Sequence, residues 1–443
     1  MTSSYLSGLL APVPDEIDAH DLPVTGSLPP ELDGRYVRNG PNPLPGRDPG
    51  HWFAGAGMIH GIRLRGGRAE WYRNRWVRTR ELEGAPRRRA DGSVDLAVSG
   101  ANTHVIRHAG RILALEEGGL PYEMTPELDT TGPHDFDGRL TTAMTAHPKQ
   151  DPITGELHFF GYDIRPPYLT YHRLSAAGEL VESREVAVPG PTMMHDFAIT
   201  ENHVVWLDLP AVFDLSLLGK GMPIRWDDSY GARLGVMDRG GAVRWFEIDP
   251  CYVFHVGNAH EDASGRVVLD AVRYGAAAFN AIWGDIGGAV DPVQAASKTG
   301  LPQLHRWTLD PGTGTVKEEP LDDRSMEFPT LNDAFVGRDG RYLYTVGDDA
   351  ILKYDTASGT TLARELGADA GEAVFVPASG GRDEDDGWLL SIVSDRACAG
   401  SELLVLAASD LTEVARVRLP RRVPTGFHGS WITADGGATA PPA

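Results

Sequence analysis

The sequence is poor in cysteine, with only Cys251 and Cys398 among 443 residues and neither in a CxxC pair. Zinc ribbons and disulfide frameworks are therefore excluded as organising features. The start of the chain lacks a basic segment followed by an apolar run, and no stretch approaches the roughly 20 apolar residues of a membrane span. These absences predict a cytoplasmic protein.

Positive charge is also scarce: 41 Lys and Arg stand against 62 Asp and Glu, for a net charge of −21. Proteins that bind nucleic acid need clustered Lys and Arg for phosphate contacts, so we expect no nucleic-acid partner. The same balance disfavours a polybasic contact with membranes. No obligate protein partner is indicated.

Long amphipathic helix patterns are nearly absent, whereas 52 glycines and 32 prolines are scattered along the chain. Short apolar or alternating runs recur between turn signals, as hairpin strands do. They are Ile112–Leu115, Leu157–Tyr162, Val204–Leu209, Val243–Ile248, Val267–Val272, Tyr342–Val346, Leu389–Val393, Leu403–Leu406 and Val414–Leu419. So many short strands in one chain predict an all-β fold, and the length favours a propeller.

No linker divides the chain, so we expect one domain over residues 1–443, with frayed ends at Met1–Leu10 and Thr433–Ala443. Two apolar segments, Leu209–Trp226 and Ala276–Gln294, interrupt the strand pattern. They could form a loop and helix cap over one face, wall a hydrophobic tunnel or contact a membrane surface. Buried packing explains them equally well.

Four histidines have distinctive surroundings: His147 in AHPK, His195 in MHDF, His255 in FHVGNA and His428 in GFHGSW. The first three follow each other at roughly 50–60 residues and the fourth after about three such steps, a rhythm typical of propeller blades. Histidines from different blades could therefore meet on the propeller axis. Imidazole binds Fe, Cu, Zn and Ni. A single histidine is more often a turn or core residue, which is how we interpret His104, His108, His203 and His305.

Metal-bound histidines usually donate their second ring N–H to a carboxylate or carbonyl. Glu117, Glu327 and Glu372 lie in apolar strand settings and are candidates for that role. From local sequence alone, each is also compatible with a solvated strand end.

The chain resembles the carotenoid cleavage oxygenases, a family that includes apocarotenoid oxygenases, lignostilbene dioxygenases and the retinoid isomerase. The matching segments run in order along almost the whole chain. They include RYVRNGPNP at 35–43, HWFAGAGMIHG at 51–61, EGGLPYE at 117–123, HPK at 147–149, MHD at 194–196, HVGNAHE at 255–261, EFP at 327–329 and PTGFHGSW at 424–431.

The resemblance implies a seven-bladed β-propeller with Fe(II) on its axis. It places the iron ligands on His147, His195, His255 and His428 and their outer carboxylates on Glu117, Glu327 and Glu372. Two departures stand out. Ala54 and Ala56 replace the aspartates of a family turn, where we expect only altered local hydrogen bonding. His260 replaces an aromatic residue five positions after His255 and is an alternative ligand.

The implied reaction is cleavage of a conjugated C=C bond by O2 to two carbonyl products. Stilbene-cleaving members resemble a pattern with a Lys near the first outer glutamate, whereas this chain has Glu116, which should repel a phenolate. We therefore expect an apolar polyene, a carotenoid or apocarotenoid, with stilbene cleavage as the alternative. Aromatic residues of the two apolar segments are candidate tunnel residues, although each also fits plain core: Phe213, Trp226, Phe279 and Trp283.

Three other functions are distinguishable. A non-enzymatic propeller scaffold would need no axial histidines. A lyase or lactonase propeller would use carboxylate ligands for Ca²⁺ or Mg²⁺. The only dense acidic cluster, Asp383–Asp386, lacks the spacing of a calcium loop and fits a hairpin tip. An isomerase of the same family would need no O2.

Overall fold

A computed structural model of the chain describes residues 3–217, 222–288 and 301–434. Its strands form seven antiparallel sheets arranged as a seven-bladed β-propeller, as predicted. One further two-stranded hairpin lies outside the blades.

Blades 1 to 4 are built largely in chain order. Blade 1 contains β1 (Asp18–His20), β3 (Gly34–Pro41), β4 (Gly57–Arg65), β5 (Arg68–Trp76) and β33 (Gly429–Thr433). Blade 2 contains β6 (His104–His108), β7 (Arg111–Leu115), β8 (Tyr122–Met124) and β9 (Thr130–Pro133). Blade 3 contains β10 (Lys149–Gln150), β11 (Leu157–Tyr162), β12 (Leu169–Leu174) and β13 (Leu180–Glu185). Blade 4 contains β14 (Ala198–Ile199), β15 (His203–Asp208), β18 (Arg233–Asp238) and β19 (Val243–Glu247).

The other three blades complete the ring. Blade 5 contains β20 (Val256–Glu261), β21 (Val267–Arg273), β22 (Gln303–Asp310) and β23 (Thr315–Pro320). Blade 6 contains β24 (Glu327–Thr330), β25 (Tyr342–Val346), β26 (Ala350–Asp355) and β27 (Thr360–Glu365). Blade 7 contains β2 (Val24–Gly26), β28 (Asp369–Ala370), β29 (Val374–Pro377), β30 (Gly387–Ser394), β31 (Ser401–Ala407) and β32 (Glu413–Arg418).

Distant parts of the chain close the ring. β33 pairs with β3 in blade 1, with Arg38 opposite Gly429, and β2 adds to the edge of β32 in blade 7. This pairing protects blade edges that would otherwise be open. It also fixes the position of the segment that carries His428.

The strands form where the apolar runs predict them, and Leu157–Tyr162 and Tyr342–Val346 have the predicted bounds. Strands in the middle of a blade are buried on both faces, whereas outer strands such as β13 alternate. The hydrophobic core lies between neighbouring blades. Its largest cluster joins blades 3, 4 and 5 to the helix described next.

The two apolar segments pack as a cap beside blades 4 and 5. Residues of Leu209–Trp226 form a hairpin of β16 (Ala211–Phe213) and β17 (Ile224–Trp226), with residues 218–221 outside the described part. The segment Ala276–Gln294 contains α1 (Ala276–Asp285), the one α-helix among the described residues, and its residues 289–294 are not described. Short 3₁₀ helices occur at Ser4–Leu6, Gly8–Leu10, Trp52–Ala54, Leu215–Leu217 and Asp333–Phe335.

At the start of the chain, residues of the described segment 3–10 contact distant parts of the fold. Tyr5 is buried, its hydroxyl donates to Asp48 at 2.6 Å, and the Ser4 hydroxyl donates to the Asp285 carbonyl at 2.6 Å. These partners are distant in sequence and therefore invisible to a local pattern. At the other end Thr433 belongs to β33, and residues 435–443 lie outside the described part. Among the described helices, none has the length and apolar character needed to span a membrane.

Candidate metal centre

The inner strands of several adjacent blades contact each other: β33 with β6, β14 with β20, β20 with β24 and β29 with β33. The predicted site residues lie where these strands begin. His147 comes two residues before β10, His255 and His428 come directly before β20 and β33, and Glu327 is the first residue of β24. His195 precedes β14 by three residues, and Glu372 lies between β28 and β29. One end of the propeller axis therefore collects residues from six different blades.

The four predicted histidines form one cluster. The His147 ring lies 4.6 Å from that of His195, 5.3 Å from that of His255 and 4.5 Å from that of His428, measured between ring centroids. The His255 and His428 rings are 4.8 Å apart. Ligand atoms of His147, His195 and His255 all lie within 4.8 Å of one another, close enough to share a metal ion.

Two of the histidines are held by glutamates, the partly buried Glu327 and the buried Glu372. Nδ1 of His255 lies 2.5 Å from Glu327, and Nδ1 of His428 lies 3.0 Å from Glu372. Each carboxylate also accepts a backbone N–H, from Phe328 at 2.6 Å and from Gly429 at 2.7 Å. Both rings are thus fixed in orientation with Nε2 left for a metal, as outer carboxylates do in metal sites.

Charge stabilises the first of these pairs. Burial opposes ionisation, but the charge of His255 and its hydrogen bond lower the pKa of Glu327, and Glu327 in turn raises the pKa of His255. For Glu372, burial dominates and raises the pKa of the carboxyl, although His104 and the Gly429 N–H oppose it.

The third glutamate, Glu117, is held differently. It lies in the turn after β7, its Oε1 is 3.3 Å from Nε2 of His195, and its Oε2 accepts the Tyr162 hydroxyl at 2.6 Å. Burial raises the pKa of Glu117 to about 8, against the effect of the Tyr162 hydrogen bond. No carboxylate of the described residues pairs with a His147 ring nitrogen, so one of the four histidines lacks this support.

The donor set fits a metal ion. Nε2 of His147 and Nδ1 of His195 are buried and have no hydrogen-bond partner in the described part of the chain. Buried polar atoms without partners are rare and call for an explanation, such as a bound ion. Burial lowers the pKa of His147, His195 and His428 well below the ordinary value, and their mutual charges lower it further. Neutral imidazoles are the form that binds metal.

A fifth histidine at the cluster was not predicted to belong there. The His104 ring lies 5.1 Å from that of His428, but its Nδ1 is 2.9 Å from the Ala146 carbonyl and its Nε2 is 3.1 Å from the Ser430 hydroxyl. Both nitrogens are occupied, so His104 supports the site without offering a ligand. Its place in blade 2 after Asn102-Thr103 was the only sequence signal.

His260, the alternative ligand, lies away from the cluster. Its Nε2 is 3.6 Å from Asp339, and it lines a separate groove of about 370 Å³. Asp383–Asp386 joins β29 to β30, as a hairpin tip should, and Glu384 accepts the N–H groups of Arg341 and Tyr342.

A cavity of about 790 Å³ reaches the cluster along the axis. It is lined by His147, His255 and His428 together with Lys149, Asp196 and Asp333. Burial, and then the negative charge of Glu372, raises the pKa of Asp333 to about 6. Apolar side chains such as Ile199, Val336 and Phe375 line the same cavity, so its lining is mixed.

The predicted tunnel aromatics lie elsewhere. Trp226, Phe279 and Trp283 are buried in the core, Phe213 is partly buried against it, and none of the four lines the axial cavity. Phe279 is connected to the cluster through Phe254. The Phe254 ring centroid lies 5.3 Å from that of His195 and 6.1 Å from that of Phe279. Their assignment to a substrate tunnel stays a prediction.

A family model described as retinal pigment epithelial membrane protein matches residues 10–433. A carotenoid cleavage oxygenase of Mycobacterium tuberculosis is 41% identical over 96% of this chain and 97% of its own length. A carotenoid 9,10(9',10')-cleavage dioxygenase of Crocus sativus is 35% identical over 97% of this chain and 89% of its own. Resveratrol cleavage oxygenase 1 of Aspergillus fumigatus is also 35% identical, over 96% and 95%.

Solved structures of related proteins have the same fold as this chain. A variant of the Synechocystis apocarotenoid oxygenase has a TM-score of 0.82 at 28% identity, covering 96% of this chain and 97% of that one. The Pseudomonas brassicacearum lignostilbene dioxygenase has a TM-score of 0.85 at 28% identity, covering 98% and 99%.

Proposed function

The chain belongs to the carotenoid cleavage oxygenase family, and from this premise we propose that it is a non-haem Fe(II) dioxygenase that cleaves a conjugated C=C bond of a carotenoid or apocarotenoid. The balanced reaction adds O2 across one double bond and gives two carbonyl products, with one oxygen atom in each. No organic cofactor is required.

The observation that carries the proposal is the cluster of four histidines, three buried and His255 partly buried, with two of its nitrogens left without partners in the described chain. Bound Fe(II) would supply the activation of O2 next to the alkene. A site of neutral imidazoles adds no negative charge, so the ion keeps its full charge, and nitrogen ligands suit iron. His147, His195, His255 and His428 would hold the ion.

The protein's own side chains then orient the ligand rings and exclude water. Glu327 and Glu372 keep two rings in one orientation, while Glu117 with Tyr162 stands behind a third. Phe328 stacks on His255 with ring centroids 4.9 Å apart and so shields that ligand from water. No side chain needs to transfer a proton in this reaction, so we assign no further catalytic residue.

An apolar polyene suits the aromatic side of the cluster. Phe254, Phe279 and Trp283 connect His195 to the cap helix α1, and we propose that the substrate reaches the metal along this aromatic side. The cap could contact a membrane from which such a substrate is taken, with the protein otherwise cytoplasmic.

Stilbene cleavage is the second candidate, because relatives that bear the names resveratrol cleavage oxygenase and lignostilbene dioxygenase match most of the chain. Against it stands Glu116. Its carboxylate accepts the Ser99 hydroxyl at 2.8 Å and the Gly100 N–H at 3.3 Å, and it brings negative charge where a phenolate-binding enzyme needs positive charge.

The test is a product assay with isotopically labelled O2. Fe(II)-loaded protein is given an apocarotenal, a full-length carotenoid and a hydroxystilbene, and the products are identified by mass spectrometry. We expect labelled, shortened aldehydes from a polyene. The His147→Ala variant should give none, and His260→Ala is the matched control that should cleave like the wild type.

Two results would overturn the proposal. Cleavage of the hydroxystilbene alone would establish the second candidate and refute the argument from Glu116. Rearranged polyene without label and without chain shortening would establish an isomerase.

A further inference from the structure

Asp196 is a buried carboxylate at the metal centre that the family resemblance does not assign. It follows His195 directly and is 2% exposed. Its Oδ1 accepts the N–H of Phe197 at 2.8 Å, and its Oδ2 accepts the N–H of Val256 at 2.8 Å. Val256 follows His255 in the chain, so this carboxylate joins the backbones next to two of the metal histidines.

Lys149 connects the segment of the third histidine, His147, to Asp196. It comes two residues after His147, and its Nζ lies 2.8 Å from Oδ1 of Asp196. The side chain of Lys149 is 20% exposed and borders the axial cavity, whereas that of Asp196 is 2% exposed. The ion pair joins blades 3 and 4 near the metal histidines. The hydrogen bond from the Val256 N–H to Asp196 connects blade 5 to them.

His147 is the histidine that needs such a connection. The other three histidines lie beside Glu117, Glu327 or Glu372, but His147 has no carboxylate partner in the described chain. Its backbone is bound locally, by a hydrogen bond from its own N–H to the Thr145 hydroxyl at 3.2 Å. On the other side of His147, His104 binds the Ala146 carbonyl and Ser430, whereas Lys149 joins this segment to the residue that follows His195.

We propose that Lys149 and Asp196 form a positioning clamp that sets the spacing of His147, His195 and His255 and so determines how tightly the centre holds its metal. The clamp acts on the backbones that carry the ligands, not on the metal or the substrate. Removing one member of a buried ion pair leaves an uncompensated charge, so each single variant should strain the site. The proposal rests on the proposed metal-dependent function.

The experiment compares Co(II) binding by the apoprotein of four variants with that of the wild type. Co(II) is the probe because its visible absorption spectrum reports ligand geometry. We expect Lys149→Met and Asp196→Asn to bind Co(II) about 10- to 100-fold more weakly, as outer residues of metal sites do, with an altered spectrum. Lys149→Arg keeps the cation and should recover most of the affinity.

Asp208→Asn is the matched control. Asp208 is fully buried in the same blade and pairs with Arg233 at 2.8 Å, but it contacts none of the metal histidines. It should lower the melting temperature while leaving the Co(II) affinity and spectrum unchanged. If Lys149→Met and Asp196→Asn also lose only stability, the clamp is refuted and the pair is purely structural.

The two proposals fail in different ways. A wild-type chain that binds neither Co(II) nor Fe(II) would refute the proposed function and the clamp with it. A wild type that binds and cleaves, beside clamp variants with unchanged affinity, would refute only the clamp. Should Asp196→Asn not fold, Lys149→Met decides the question by itself, because its partly exposed side chain tolerates an apolar replacement.

Discussion

The histidine cluster has two differently supported halves. Nδ1 of His255 and of His428 each lies within hydrogen-bond distance of a glutamate that also accepts a neighbouring backbone N–H, so each ring is fixed separately. His147 and His195 each keep a buried ring nitrogen without a partner in the described chain, and one ion pair joins the segments that carry them. The first half is fixed by side-chain bonds before any metal binds, while the second half completes its contacts through the metal.

The largest effect should follow from removing a ligand. We expect His147→Ala to weaken Fe(II) and Co(II) binding by more than about 100-fold, beyond the range of outer-residue changes. Polyene cleavage should fall with it. Metal content after gel filtration and competition with a chelator check the change, with His260→Ala as control. A His147→Ala chain that retains one tightly bound metal would show that the centre needs only three ligands.

The next largest effect should come from the glutamates, and it should differ between the two halves of the histidine cluster. Glu327→Gln and Glu372→Gln should each lower Co(II) affinity by about 10- to 100-fold, because each removes a carboxylate oxygen that binds Nδ1 of a ligand ring. Glu117→Gln should have a smaller effect, since its carboxylate stands 3.3 Å from His195 and burial raises its pKa to about 8. Chelator competition at one pH compares the three. Equal losses in all three variants would remove the distinction between the halves.

Replacing His104 should lower the free energy of unfolding and leave metal binding largely unchanged. Its replacement by Ala leaves the Ala146 carbonyl and the Ser430 hydroxyl without their ring partner, at a cost of about 1–3 kcal/mol. Denaturant unfolding of the apoprotein measures that cost. The metal-to-protein ratio should stay that of the wild type, and its loss would make His104 part of the ligand set.

Carboxylates away from the cluster should affect stability alone. Glu261, at the far end of β20 from His255, accepts bonds from Thr200, Asn202 and His203. Burial works against ionisation, but these bonds lower the pKa of Glu261 to about 2, below its ordinary value near 4.3. The ionised group therefore stabilises the fold above about pH 4.3, and this stabilisation is lost as the pH falls toward 2.

Glu261→Gln should accordingly lower the free energy of unfolding by about 1–2 kcal/mol at pH 7, allowing for partial exposure. The difference from the wild type should shrink between about pH 4.3 and 2. Denaturant melts at several pH values measure it. A change in Co(II) affinity in this variant would show that the centre senses distant parts of the blade.

Much of the fold was readable because its signals are local. An alternating or apolar run between turn residues predicts a strand wherever it falls, and Leu157–Tyr162 and Tyr342–Val346 are such runs. The segment Ala276–Gln294 contains the helix α1, which fits the prediction of a helix there. The contacts at the start of the chain carry no such local signal, since Tyr5 is buried and its hydroxyl donates to Asp48, 43 residues away.

Local sequence patterns also leave the role of the aromatic residues in the two apolar segments open. Sequence could not separate core from tunnel for Phe279 and Trp283, because both roles ask for a large apolar side chain. In the fold they stack on each other at 5.6 Å and are fully buried. Which side a ring faces depends on how the cap packs against blades 4 and 5.

The sequence by itself determined the strands and the family resemblance, and that resemblance supplied the candidate set of four histidines and three glutamates, because each signal lies in a short, distinctive segment. Only the tertiary structure decided which glutamate lies beside which histidine, that His147 has none among the described residues, and that Lys149 and Asp196 join three blades. Those pairings connect residues from about 45 to 80 positions apart. Closing such long loops costs entropy that only the assembled ring of blades offsets, so no local pattern records them.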